Sequence, residues 1–149
     1  MVDLAETRIE NRWIVLPNHT NNLGTVHGGN VMKWMDEAGA MSATRFAGED
    51  VVTARMDQVN FRAPVPVGDI ALAEAFVYDA GRTSIRVRVE VYREDPQTAE
   101  RELTTESYVV YVAIDEDREP TPVPALTTST EEGEELRQTA LDGENGGGR

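Results

Sequence analysis

The longest coherent pattern in the chain runs from His27 to Phe46. Wound at roughly 100° per residue, Lys33, Glu37 and Thr44 fall on one narrow polar face. Val31, Met32, Met35, Ala38, Gly39, Ser42 and Phe46 cover most of the remaining circumference. A helix this apolar has to be wrapped by other structure. At about 1.5 Å per residue it spans on the order of 25 Å, the width of a small sheet.

On either side the period changes to two. Alternation predicts strands over Ile9–Leu16, Val51–Phe61, Ile70–Tyr78, Thr83–Tyr92 and Leu103–Ile114. It is cleanest in the fourth, with Ile85, Val87, Val89 and Val91 inward and Arg86, Arg88 and Glu90 outward. In the third, Ile70, Leu72, Phe76 and Tyr78 oppose a run of alanines. Pro17, the Asn18–Gly24 loop, Gly48-Glu49-Asp50, Pro64 with Pro66, Ala80-Gly81 and Glu94–Gln97 punctuate the series. Tight hairpin links imply an antiparallel sheet. The expected architecture is α+β: one long central helix wrapped by a curved antiparallel sheet of about five strands. A single domain over 1–116 contains it. From there Pro120, Pro122 and Pro124, acidic residues and Gly146-Gly147-Gly148 read as a tail over 117–149, and Ser129 with Glu132 forms a capping-box match for a short helix near 129–141.

Charge narrows the partners. The 149 residues carry a net charge of -13 and no cysteine, and Lys33 is the only lysine. This argues against nucleic acid and anionic membranes as partners, and it excludes disulfides, zinc-thiolate sites and a cysteine nucleophile. Acidic, lysine-poor surfaces resemble those of proteins from salt-loving organisms, where screening removes most self-repulsion. Met1–Glu6 shows neither a basic nor an apolar leader segment, so a cytoplasmic protein is expected.

Asp36 is the residue that packing explains least. Its neighbours one turn away are Met32, Lys33, Gly39 and Ala40, which puts it at the rim of the apolar sector, whereas Glu37 sits with Lys33 on the solvated face. Half-buried carboxylates at apolar surfaces are common in acid–base sites; the structural alternative is a rim Asp capped by an arginine. Backbone N–H groups at the Gly28-Gly29 helix start point outward and carry partial positive charge, which suits a carbonyl oxygen gaining charge under attack. Asp36 would then direct a water or attack the carbonyl itself. No Gly-x-Ser-x-Gly elbow, phosphate loop or dinucleotide fingerprint is present, and His19 and His27 are the only histidines. Neither a metal nor a cofactor is expected.

Four segments in order carry a resemblance: Asn21-Asn22-Leu23-Gly24-Thr25-Val26-His27-Gly28-Gly29, Met35-Asp36-Glu37-Ala38-Gly39, Val67-Gly68-Asp69 and Gly81-Arg82-Thr83-Ser84. Together they resemble the hotdog-fold acyl-CoA thioesterases, in particular the subgroup of bacterial YciA-type enzymes and animal cytosolic acyl-CoA hydrolases. The resemblance runs from about Trp13 to Ile114. It implies hydrolysis of acyl-CoA to free acid and CoA, with Asp36 as the catalytic carboxylate. Asn21 would assist from a partner subunit, with Gly28 and Gly29 as oxyanion donors beside His27. Arg82, Thr83 and Ser84 would contact CoA, with Arg55, Arg62 or Arg86 as further phosphate partners. It also implies a homo-oligomer, at least a dimer and commonly a trimer of dimers. One departure is His19, where family members often carry Asp. Two other activities suit the same fold: a non-catalytic acyl-CoA binding or sensor protein, and an enoyl-CoA hydratase, which would need His27 beside a carboxylate.

Overall fold

The computed structural model describes residues 1–146. In chain order its elements are β1 (Val2–Asp3), a 3-10 turn (Leu4–Thr7), β2 (Ile9–Ile14), a 3-10 turn (Pro17–His19), α1 (Gly28–Ala47), β3 (Asp50–Phe61), β4 (Ile70–Ala80), β5 (Ser84–Glu94), β6 (Arg101–Ile114), β7 (Leu126–Thr127) and α2 (Glu131–Gly146). The long helix and all five alternating segments fall where the patterns place them. Gly48, in the left-handed region, ends α1. No described helix is long and apolar enough to cross a membrane.

Five strands form one antiparallel sheet in the order β2-β4-β5-β6-β3, and it curls around α1 as a hotdog architecture requires. Curvature comes from irregularities in the ladders, at Ala54, at Gln58 (φ 53) and at Tyr78. Ile85, Val87, Val89 and Val91 face inward, as the alternation demands. On β4 it is the alanines, Ala71, Ala73 and Ala75, that face α1, while Phe76 and Tyr78 point to the other side. Small side chains there bring the helix close to the sheet, and Met35, Ala38 and Phe46 fill the space between. Met32, placed by the periodicity in the apolar sector, is 36% exposed. The chain therefore does not wrap its own helix completely.

The loop entering α1 is pinned from several sides. Trp13 of β2 stacks on Trp34 of α1, ring centroids 5.0 Å apart and 7° from parallel. His19 meets Trp34 edge-on, and its Nδ1 accepts the Leu16 N–H at 3.0 Å. The His19 carbonyl accepts from the His27 N–H and from the Asn30 side chain.

The segment after Asp117 is ordered well beyond what a tail would be. β7 pairs in parallel with β1, and α2 lays Leu136, Ala140 and Leu141 on Leu4, Phe76, Tyr78 and Tyr108 across the outer face of the sheet. These apolar partners lie far away in sequence, so local composition does not reveal them. The helix also starts later than the Ser129–Glu132 match suggests. Asp3 takes the Ser129 N–H at 2.7 Å, and Thr130 Oγ1 caps α2 by accepting from Gly133 at 2.9 Å. Three acidic residues in the first turn suit the helix dipole. Residues 147–149 of the expected tail lie outside the described residues.

Candidate active site

Asp36 lies half-buried on α1, where the helix faces the β3–β6 ladder. Thr53 and Tyr111 are directly opposed across that ladder, so their hydroxyls converge. Thr53 Oγ1 donates to Asp36 Oδ1 at 2.7 Å and Tyr111 Oη to the same oxygen at 3.1 Å. Tyr111 Oη also lies 3.0 Å from the Asp36 carbonyl oxygen. Among the described residues no donor reaches Oδ2 and no arginine caps the carboxylate. The bulge at Ala54 directly follows Thr53, a common device for aiming side chains next to a site.

Tyr111 is fully buried. Burial, then the neighbouring Asp36 charge and their hydrogen bond, raise its hydroxyl above the ordinary value of 10.0, so it remains a donor. Its path to Asp36 crosses α1 at Gly39, where a β-carbon would stand 2.3 Å from Tyr111 Oη. That contact explains a glycine in the middle of a helix, where it costs about 1 kcal/mol relative to alanine.

The helix start is a second locus. The His27 Nδ1 accepts the Gly29 N–H at 3.0 Å, and the His27 carbonyl takes the N–H groups of Asn30 and Val31. Of the first N–H groups of α1, only that of Gly28 has no acceptor among the described residues. Sequence reasoning offered Gly28 and Gly29 together; the cap removes Gly29. Beside Gly28 opens a cavity of about 320 Å³ lined mainly by Val26, Val31, Phe61, Val65 and Arg62. This volume is in the range of small-ligand sites.

The two loci do not meet within one chain. Gly28 and Asp36 are separated by about 12 Å along the helix axis, so one carbonyl cannot touch both. Asn21 belongs to the Gly28 end. Its Oδ1 accepts the Leu23 N–H at 2.8 Å in a tight loop turn, away from Asp36 of the same chain. His27 is likewise more than two turns from Asp36, so the His–carboxylate pair that a hydratase needs is not formed within the chain.

The cationic candidates separate in the same way. Arg82 and Thr83 lie in the β4–β5 turn, and Ser84 opens β5. Ser84 pairs with Val112, next to the Tyr111 position, so this turn lies at the Asp36 end of the sheet. Arg82 has no carboxylate partner among the described residues. By contrast Arg62 pairs with Glu106, Arg55 with Asp57 at 2.6 Å and Arg86 with Glu144 at 3.1 Å. Sequence reasoning missed Thr53 and Tyr111. A hydroxyl-bearing residue on an inward strand position, with a glycine mid-helix to admit it, was the available signal.

Known proteins are similar to this chain in sequence and in fold. The family model described as the thioesterase superfamily matches residues 23–100. The chain is 36% identical over 140 residues to an uncharacterized acyl-CoA thioester hydrolase, YkhA, of Bacillus subtilis, covering 94% of this chain and 81% of that one. Among solved structures, the acyl-CoA hydrolase of Staphylococcus aureus in complex with butyryl coenzyme A, coenzyme A and coenzyme A disulfide superposes with a TM-score of 0.88. It is 32% identical, over 95% of this chain and 86% of that one. The same hydrolase has been solved with alanine in place of an asparagine, an aspartate or a threonine. An apo-hexameric acyl-CoA thioesterase superposes with a TM-score of 0.88 at 41% identity, over 97% and 92% of the two chains.

Proposed function

We propose, because the chain belongs to the thioesterase superfamily, that it hydrolyses acyl-CoA thioesters with Asp36 as the catalytic carboxylate. The activity is that of an acyl-CoA thioester hydrolase, which its relatives' names and the coenzyme A complexes of a structural neighbour support. The observation that carries the assignment of Asp36 is its hydrogen bonding: one oxygen is held by two hydroxyls and the other is free. The asparagine, aspartate and threonine varied in the Staphylococcus aureus hydrolase follow one another at the same separations as Asn21, Asp36 and Thr53.

The free Oδ2 takes a proton from water as that water attacks the thioester carbon, or attacks the carbon itself to form an anhydride that water then opens. In either route the carbonyl oxygen becomes an oxyanion, and the unoccupied Gly28 N–H at a helix N-terminus is built to receive it. Collapse breaks the C–S bond and releases CoA as its thiolate, which takes up a proton.

If Gly28 and Asp36 serve one site, as this reading has it, the two come from different chains, since about 12 Å separate them along one helix. The protein is accordingly a homo-oligomer, in keeping with the hexameric relatives. A dimer supplies Asp36 from one protomer with Gly28 and Asn21 from the other, and three such dimers complete a hexamer. The open edge of β3, with Val52 and Phe61 exposed beside it, offers a place for strand-to-strand association. Arg82, free of internal carboxylates, is the first choice for a CoA phosphate. The acidic, lysine-poor surface suits a salt-rich cytoplasm.

The test is thiol release from a panel of acyl-CoA esters, in low and high salt, by the native protein and by Asp36→Asn. Native turnover with loss of on the order of 10³-fold in the variant, the assembly being kept, is the expected result. Equal turnover by the two proteins rejects Asp36.

A further inference from the structure

Resting on the reading of Asp36 as the reacting carboxylate, we propose that Tyr111, admitted through the gap at Gly39, is a positioning residue that fixes which oxygen of Asp36 reacts. Three observations carry this. Tyr111 and Thr53 face each other across the β3–β6 ladder and donate to the same oxygen, Oδ1. Oδ2 receives no donor among the described residues. Tyr111 Oη also sits 3.0 Å from the carbonyl oxygen of Asp36, so the phenol spans main chain and side chain of one residue and locks the side-chain rotation.

A carboxylate bound by one hydroxyl alone can rotate and present either oxygen. Two donors arriving from adjacent strands remove that freedom, and they come from paired strand positions rather than from a loop. Because Tyr111 is buried and stays protonated, its hydrogen bond is available throughout the working range. Tyr111 never reaches the substrate. It acts only through Asp36, and Gly39 acts only through Tyr111: with a β-carbon at position 39 the phenol oxygen has no room.

The experiment is a set of four variants assayed by thiol release, with kcat and KM measured separately: Tyr111→Phe, Gly39→Ala, the two combined, and Asp36→Asn. Tyr111→Phe deletes one oxygen and keeps the buried ring. It is expected to lower kcat about tenfold, with KM changed less than twofold, as befits loss of one hydrogen bond to a charged group. Gly39→Ala is expected to lose at least as much. The combined variant, with the crowded oxygen gone, is expected to return to within about twofold of Tyr111→Phe alone. Native kcat in Tyr111→Phe beside an inactive Asp36→Asn overturns the proposal and leaves the catalytic carboxylate standing. Multiplicative losses in the combined variant overturn the link to Gly39. An active Asp36→Asn removes the reading on which all of this rests.

Discussion

β6 carries two tyrosines three positions apart, and they face opposite sides of the sheet. On the inner side Tyr111 crosses α1 at Gly39 and hydrogen-bonds Asp36. On the outer side Tyr108 lies against α2 at Gly143, where a β-carbon would stand 2.4 Å from its hydroxyl. Each helix has given up a side chain so that a phenol can approach. The surroundings differ. Around Tyr111 the sheet presents alanine and valine, and among the described residues the only charge within hydrogen-bond reach is Asp36. Around Tyr108 stand ion pairs: Arg88 lies over its ring, 4.3 Å from the centroid, and binds Glu106, which also binds Arg62. A lone carboxylate held by neutral donors keeps its charge available for chemistry. Carboxylates matched by arginines are already neutralised and serve to hold elements together. Of the two tyrosines, Tyr111 faces a carboxylate with no arginine partner among the described residues, whereas the carboxylate that Arg88 binds beside Tyr108 is paired.

The difference is broken most sharply by exchanging which property is lost. Asp36→Asn should cost on the order of 10³-fold in turnover while leaving the melting temperature within a few degrees. Phe76→Ala, on the outer face beneath α2, should do the reverse. Removing this buried ring is expected to cost about 3 kcal/mol and to release α2, seen as faster amide hydrogen exchange over residues 131–146. Turnover per folded assembly should hold.

Acid sharpens the same contrast. Arg62, joined by Arg88, holds the Glu106 carboxyl below its ordinary 4.5 against the opposing effect of burial. Arg12, joined by Arg101, does the same for Glu94. A carboxyl with a depressed folded-state pKa contributes stability that is fully present above its unfolded value. That contribution is lost as the pH falls through the folded one. Melting temperature should therefore be flat above about pH 5.5 and decline below about 4.5, and Glu106→Gln should flatten the decline. The smallest effect is expected at Tyr78, whose buried hydroxyl has no hydrogen-bond partner within bonding distance among the described residues. Tyr78→Phe should leave stability unchanged or raise it by up to about 1 kcal/mol, measured by denaturant titration.

How far these features were legible in the sequence follows from the range over which each is decided. α1 and the five long strands are local periodicities, and each appears within a few residues of its pattern. Asp36 was visible as a rim carboxylate because its neighbours one turn away are fixed by helix geometry alone. Thr53 and Tyr111 were not, since their convergence depends on a register that pairs residues more than fifty positions apart. The same holds for the C-terminal segment. Its leucines have no apolar partners nearby, and α2 finds them on β4, on β6 and in the turn at Leu4. The choice between Gly28 and Gly29 turned on the rotamer of His27, which no spacing encodes. The pairing proposed between Asp36 of one chain and Gly28 of another is a relation no single sequence pattern can display.

The stack of Trp13 on Trp34 carries a practical consequence. These are the chain's only tryptophans, one on an edge strand and one on the central helix, and parallel indoles this close couple their electronic transitions. The far-ultraviolet dichroism should show an exciton couplet that collapses when strand and helix part. His19, wedged against the pair, belongs to the loop that holds Asn21. The molecule thus carries an intrinsic optical gauge of whether that loop is seated, readable in solution without any label.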